Sequence, residues 1–235
     1  MKTEGLDVVI PYRRSNSFDK ELRYALRSIN NLHGIRKVFI IGEAPDWLGD
    51  VEYIKMVQGG QKGVNTRNAL IRACTNKDVT DNFILMADDI YITKPMDEIK
   101  LYHGGSLKDF LAKFNARFAA SYYTKKIRNS LAQLPEDAKH YELHVPMVVN
   151  KASALSLLAN PDLHGLMFRT LYGNMVENGA GEQTKDVKYY ARSPQAWFKK
   201  IEIGFLSSDD SRFKGEIEEY LKVMFPDKCE YEKWR

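Results

Sequence analysis

Two carboxylates stand side by side at Asp88 and Asp89, directly after the apolar run Phe83-Ile84-Leu85-Met86-Ala87. Like charges brought together at the end of a buried strand repel one another and lose water. A hard divalent ion, Mg²⁺ or Mn²⁺, removes that cost, because it takes carboxylate oxygens and fills its other positions with water and phosphate oxygens. An ion held there would neutralise a departing diphosphate. The competing use of such a pair is one aspartate capping the next turn and the other in solvent. His144 stands just ahead of Pro146, and an imidazole serves as a metal ligand, as a general acid or base, or as a plain structural residue. Arg67 can fork onto a phosphate or carboxylate, or make a structural ion pair, and Asn68 beside it can cap a helix. Asp209-Asp210 is a second acidic pair, with a helix N-terminus as its competing role. Glu142, His144 and Asp210 are the candidates for a general base, and Arg169 is a candidate phosphate ligand or ion-pair partner.

These groups need a scaffold, and the chain supplies one. Leu6 to Ile10 is a predicted strand stopped by Pro11, whose missing donor takes the chain out of a sheet. A helix is predicted from about Phe18 to Asn31, with Leu22, Ala25, Leu26 and Ile29 on one face. Val38 to Gly42 and Val51 to Val57 are predicted strands, followed by the loop Gln58 to Gly63 and a helix from about Asn65 to Cys74. Phe83 to Ala87 is the fourth strand. This alternation predicts an α/β fold, a Rossmann-like, mostly parallel central sheet with helices on both faces. Ligands of such sheets sit outside the carboxyl ends of the strands. The segments Pro11 to Arg14, Gln58 to Asn68 and Asp88-Asp89 all fall there. The second half is more irregular. It is predicted to hold a basic helical region from about Gly104 to Asn129, a strand from Leu143 to Val149, and helices from about Ala152 to Leu158 and Lys214 to Phe225.

Composition limits the classes. A chain of 235 residues with 44% hydrophobic and 28% charged residues buries one sizeable core and is not a disordered one. No repeat, low-complexity tract or linker divides it, so a single domain over residues 1–235 is expected. No run approaches the roughly 20 apolar residues that span a bilayer. The N-terminal segment has no apolar signal core, so an intracellular, cytoplasmic location is expected. Cys74 and Cys229 are widely separated and read as two free thiols. A net charge of +4 suits a diphosphate or polyanionic partner without demanding nucleic acid. Two basic stretches with aromatics would suit DNA: Lys108 to Arg128 with Tyr122 and Tyr123, and Lys185, Lys188, Arg192, Lys199 and Lys200 with Trp197. A solvated basic face is the plainer use of both.

The segment Gly63-Val64-Asn65-Thr66-Arg67-Asn68-Ala69-Leu70, followed by the strand that ends in Asp88-Asp89, resembles nucleotide-sugar glycosyltransferases of the GT-A class. The start Pro11-Tyr12-Arg13-Arg14-Ser15 is similar to theirs. The resemblance implies a GT-A-like fold with a nucleotide-binding half (1–95) and an acceptor-side half (96–235). It implies Pro11, Tyr12 and Arg13 along the nucleotide pocket, and Arg67 and Asn68 at the nucleotide sugar. It implies Asp88 and Asp89 on Mn²⁺ or Mg²⁺, with His144 completing the metal shell or serving catalysis. The donor would be a UDP- or related nucleotide sugar, and the acceptor a hydroxyl on a glycan or on a hydroxymethylated base in DNA. A second resemblance spans most of the chain. Glu21 to Ile29, Ile35 to Ile41, Pro45-Asp46-Trp47-Leu48, Phe83 to Pro95, His144-Val145-Pro146, Phe168 to Asn174 and Phe225 to Glu232 look like successive motifs of the Stealth family of sugar-1-phosphate transferases. The Trp-Val-Asp-Gly segment that opens that family does not follow the first strand here. Three readings stand side by side: glycosyl transfer, sugar-phosphate transfer, and a non-catalytic nucleic-acid or glycan-binding module on the same fold.

Overall fold

The computed structural model describes residues 1–14, 19–59, 62–189, 202–208 and 213–233. The first half runs β1 (Asp7–Tyr12), α1 (Lys20–Ser28), β2 (Val38–Gly42), β3 (Glu52–Lys55), α2 (Lys62–Thr75), β4 (Asn82–Leu85) and β5 (Ile90–Ile92). The second runs β6 (Tyr102–His103), α3 (Leu107–Phe118), α4 (Tyr122–Leu131), β7 (Met147–Asn150), α5 (Lys151–Ala159), α6 (Phe168–Met175), β8 (Glu182–Gln183), β9 (Lys188–Tyr189), β10 (Phe205–Ser208) and α7 (Glu218–Met224).

The main sheet has the order β3-β2-β1-β4-β7. Its first four strands are parallel, and β7 pairs antiparallel with β4. Alternate side chains leave a strand on opposite faces. Val8, Ile10, Tyr12, Ile40 and Ile84 accordingly pack with Leu22, Ala25 and Leu26 of α1. Val9, Phe39, Ile41, Phe83 and Leu85 pack with Ala69, Leu70 and Ala73 of α2 and Ala154 and Leu158 of α5. Both faces are covered, which is why these strands read as unbroken apolar runs.

Pro11 does not end β1. It pairs with Ile41, and Tyr12 pairs with Gly42. Along β1 the backbone of Val8 is turned to β2, where its N–H meets Lys37 O. The Val9 carbonyl is turned to β4, where it accepts Met86 N–H at 3.0 Å. Two residues on, the missing donor of Pro11 faces the β4 side, past the last β1–β4 pair at Val9 and Leu85. No ladder bond is lost, so the proline stays in the strand.

The expected strand Leu143 to Val149 narrows to β7, and the basic helical region is two helices parted at Ala119–Ser121, where Ser121 caps α4. Two small sheets had no counterpart in the sequence reading. One is β5-β10-β9, with β10 antiparallel to β5 and parallel to β9, and the other pairs β6 with β8. Cys74 and Cys229 are buried free thiols. Among the described residues no helix is long and apolar enough to cross a membrane.

Candidate functional site

β4 stops at Leu85, and Asp88 and Asp89 occupy the turn that leads into β5, both partly buried. The small sheet brings a partner to them. Ser207 of β10 lies between Ile90 of β5 and Lys188 of β9, so Lys188 is one strand beyond the residue that follows the doublet. Its Nζ donates to Asp89 Oδ2 at 2.7 Å, with the two side chains 14% and 19% exposed. Burial pushes the Lys188 ammonium down, but the carboxylates of Asp89 and Asp186 outweigh it and hold the pKa above the usual lysine range.

Asp186, two residues before Lys188, collects a second set of bonds. It accepts the backbone N–H of His144 at 3.0 Å and of Lys188 at 3.4 Å, and its Oδ2 lies 2.9 Å from His144 Nδ1. Burial raises its carboxyl, and the bonds from His144 overcome that and leave it below the ordinary carboxylate range. A carboxylate on Nδ1 fixes the ring and its tautomer and leaves Nε2 without a partner among the described residues. Arg169 braces the loop that carries His144. Its buried guanidinium donates to the carbonyls of Leu143, Val145 and Leu85, tying that loop to the end of β4. Burial lowers the Arg169 pKa. With its donors on carbonyls, Arg169 is a brace here rather than a surface ion pair or a phosphate ligand.

The nucleotide-side residues divide differently from the expectation. Tyr12 is 1% exposed and packs in the core, and its hydroxyl donates to Asp19. Asp19 also receives Arg14 Nη2 at 3.2 Å and holds a left-handed backbone with φ of 59°, a strained conformation that aspartate tolerates better than most residues. Pro11 is partly exposed and Arg13 exposed, in contrast to the buried Tyr12 ring between them. The Tyr12 carbonyl accepts the Gln58 side-chain amide and Glu43 N–H. This close approach explains Gly42, whose φ is 136° and whose Cβ, if present, would run into that carbonyl and that amide.

Arg67 is turned to the end of α5, where it donates to the Leu158 carbonyl and meets His164 Nε2 at 2.6 Å. The reason is helical register. Asn65, Ala69, Leu70 and Ala73 form the buried side of α2, so Arg67 and the exposed Asn68 point elsewhere. Asn65, 6% exposed in the first turn, is the asparagine that faces inward. Glu142 accepts Thr170 N–H at 3.2 Å in the first turn of α6, a helix-terminus role rather than that of a free base. Asp209 and Asp210 lie outside the described residues, as do Arg192, Trp197, Lys199 and Lys200.

The donor chemistry of Asp88 and Asp89 fits a hard divalent ion held by one or two carboxylates and completed by water and phosphate oxygens. The expected three-residue shell with His144 is not gathered in this structure. Among the described residues no three His, Cys, Asp or Glu side chains gather where an ion could sit. Asp89 is turned to Lys188 and His144 to Asp186. The sequence reading missed Asp186, Lys188 as a partner of Asp89, Asp19 and Asn65. A signal for the first two was present, since Asp186-Val187-Lys188-Tyr189 alternates polar and apolar, and Val187 and Tyr189 are buried.

No protein-family model matches the chain, and no curated protein matches it in sequence. Solved structures do. The galactosyltransferase LgtC in complex with donor and acceptor sugar analogs is 11% identical and has a TM-score of 0.53, with 95% of this chain and 96% of that one covered. An active-site mutant of LgtC is 10% identical with a TM-score of 0.52, over 93% and 95% of the two chains. The apo-form glycosyltransferase GlyE of Streptococcus pneumoniae TIGR4 is 9% identical with a TM-score of 0.47, and the chain spans 61% of its length. At these identities the likeness is one of architecture: the chain carries the α/β fold of the GT-A glycosyltransferases, a mostly parallel central sheet enclosed by helices.

Proposed function

We propose that the chain is a nucleotide-sugar-dependent glycosyltransferase that uses a UDP- or related sugar and a hydroxyl acceptor. The observation that carries this reading is the double pairing at the carboxyl edge, His144 with Asp186 and Asp89 with Lys188, with Asp186 two residues ahead of Lys188, the first residue of β9. Asp186 orients the imidazole so that Nε2 takes the proton from the acceptor hydroxyl. The acceptor oxygen then forms its bond to the anomeric carbon, and the bond from that carbon to the diphosphate breaks. Lys188 supplies positive charge beside the leaving phosphate, and Asp88 and Asp89 would hold Mn²⁺ or Mg²⁺, which as a Lewis acid stabilises the same charge. Pro11 and Arg13 would line the nucleotide and Asn65 the first turn of α2, in place of Asn68. A base oriented for an incoming nucleophile fits inversion, since retention needs no base at that place.

One second reading is favoured by the same dyad. A positioned base serves attack at phosphorus as well as at carbon, and the His144-Val145-Pro146 segment is among those similar to the Stealth sugar-1-phosphate transferases. A panel of nucleotide sugars with and without Mn²⁺, read by melting temperature and by products, tests both. A ligand that binds the folded form raises its melting temperature. Release of nucleoside diphosphate supports glycosyl transfer, and release of the monophosphate moves the reaction to phosphorus. A flat response to every donor, with metal present, leaves the non-catalytic binding module.

A further inference from the structure

We propose that the α3–α4 hairpin is a nucleic-acid docking surface that carries a phosphodiester strand to the mouth of the candidate site; only the purpose of that docking rests on the transferase reading. Within residues 107–131 there are six basic residues, Lys108, Lys113, Arg117, Lys125, Lys126 and Arg128, against the single acid Asp109. The whole chain carries +4, so this surplus of five leaves everything else slightly acidic. The charge is concentrated rather than spread. Lys108 is paired with Glu136, and Arg128 bonds Asn115. Among the described residues Lys113, Arg117, Lys125 and Lys126 have no ion-pair partner.

The apolar sides of the two helices are already used. Leu107 and Ile127 are buried in a third, small core, with Phe110, Leu111 and Phe114 packed against it. What remains outside is cationic, with two aromatic rings, Phe118 and Tyr122, 55% and 61% exposed on either side of the interhelical turn. Basic side chains release counterions from phosphates, and exposed rings stack on unpaired bases. A helix pair that lies in a bilayer surface needs a broad outward apolar face, and this one has turned its apolar face inward. The hairpin is also placed for the task. A Cβ on Gly63 would lie 3.5 Å from the Lys126 ammonium, so α4 abuts the first turn of α2 at the carboxyl edge of the main sheet. Ser130 at its other end accepts Met167 N–H at 3.0 Å, which ties α4 to the start of α6.

The test uses the full chain and end-labelled DNA oligonucleotides, single-stranded and duplex, titrated by fluorescence anisotropy at 50 and 200 mM salt. The comparison is with a variant carrying Lys113→Gln, Arg117→Gln, Lys125→Gln and Lys126→Gln. Each phosphate neutralised contributes about 0.7 to the logarithmic salt slope for a single strand, so losing four flattens it by about 3. Raising the salt then weakens the wild type about 50-fold more than the variant, by the same slope. Tyr122→Ala weakens the single strand several-fold and the duplex less. Equal affinity of wild type and variant overturns the proposal, as does absence of oligonucleotide binding. Tight binding to phosphatidylcholine–phosphatidylglycerol vesicles with none to DNA also overturns it, in favour of a membrane surface. The variant's melting temperature with and without UDP separates the two readings. Retained stabilisation by UDP with lost DNA binding places the effect on the hairpin. Binding of DNA by a wild type that responds to no nucleotide sugar keeps the docking surface and removes the transferase.

Discussion

Two ionic clusters in this molecule are built from similar groups and differ in how far they are closed. At the outer side of α1, Glu232 is 1% exposed and is held by Arg23 and Arg27. Arg27 commits four of its five N–H donors: Nε and one N–H of Nη2 meet Glu232, and Nη1 meets the carbonyls of Phe225 and Pro226. Burial pushes the Glu232 carboxyl up, and the two guanidiniums overcome that and hold it below its usual range. The His144–Asp186 pair is about 30% exposed on each side, and among the described residues only Nδ1 of that ring has a partner. A closed cluster fastens one segment of chain onto another. An open one leaves a nitrogen pointing at whatever enters. A closed, buried cluster is a structural device, whereas a half-open pair is only partly desolvated until a ligand covers it.

Removing one member from each cluster should therefore produce opposite phenotypes. His144→Ala is expected to lower donor turnover on the order of 10²- to 10⁴-fold, the range for a positioned acid–base group, with little change in melting temperature. Asp186→Asn should follow it with a smaller loss, since it leaves the ring in place with the wrong tautomer favoured. Glu232→Ala should do the reverse. It leaves Arg23 and Arg27 facing a buried gap and is expected to cost about 3–5 kcal/mol of stability by urea denaturation, while turnover per folded molecule is kept. A large stability loss from His144→Ala, or a turnover loss from Glu232→Ala under folded conditions, would erase the distinction.

A second imidazole sharpens it further. His140 is 4% exposed, stacks on Phe110 with centroids 3.6 Å apart, and has a pKa held at about 4 by burial. Its folded pKa lies below the ordinary histidine value of 6.5, so below pH 6.5 the unfolded chain binds the proton more readily. Stability from a neutral His140 is complete above that pH and is lost as pH falls towards 4. Between pH 7 and pH 5 the loss is about 2 kcal/mol, at 1.36 kcal/mol per pKa unit. Urea midpoints of wild type and His140→Gln at the two pH values check this, and the variant should show a smaller acid loss.

The contrast between the clusters also explains how much was legible in the sequence. The parallel core was, because Val38 to Ile41 and Phe83 to Leu85 are apolar runs buried on both faces and need no partner information to be read. Leu22, Ala25 and Leu26 were legible as the inward stripe of α1, with Ile29 just past its end, for the same reason of period, and all four are buried. The doublet was legible as an anomaly at a strand end. Its partner was not, because Lys188 reaches Asp89 across β10, and the four-residue alternation around β9 marks a strand without saying which strand it joins. Pro11 misled because the rule that proline ends a strand omits which side of the strand its absent donor faces. The resting directions of Arg67 and Asn68 were not legible because a motif fixes spacing, while the buried face of α2 is fixed by Ala69, Leu70 and Ala73.

The smallest of the expected effects bears most directly on the doublet. Lys188 places one positive charge on Asp89 at 2.7 Å, where a divalent ion would bring two. Both cations compete for that carboxylate, yet both would favour a diphosphate nearby. Lys188→Met therefore separates two roles. If the ammonium is only the resident counter-ion of Asp89, its loss tightens Mn²⁺ binding, read by titration calorimetry without donor, and leaves UDP affinity unchanged. If it also faces the diphosphate, Mn²⁺ binding tightens while UDP binding weakens, each by about tenfold for about 1.4 kcal/mol. The second outcome is the expected one under the proposed transfer, because a lysine already drawn to the carboxylates of Asp89 and Asp186 would also attract a diphosphate held by the doublet's ion. Weaker Mn²⁺ binding in Lys188→Met would mean instead that the pair is structural and that the doublet is held in place by the lysine rather than shared with it.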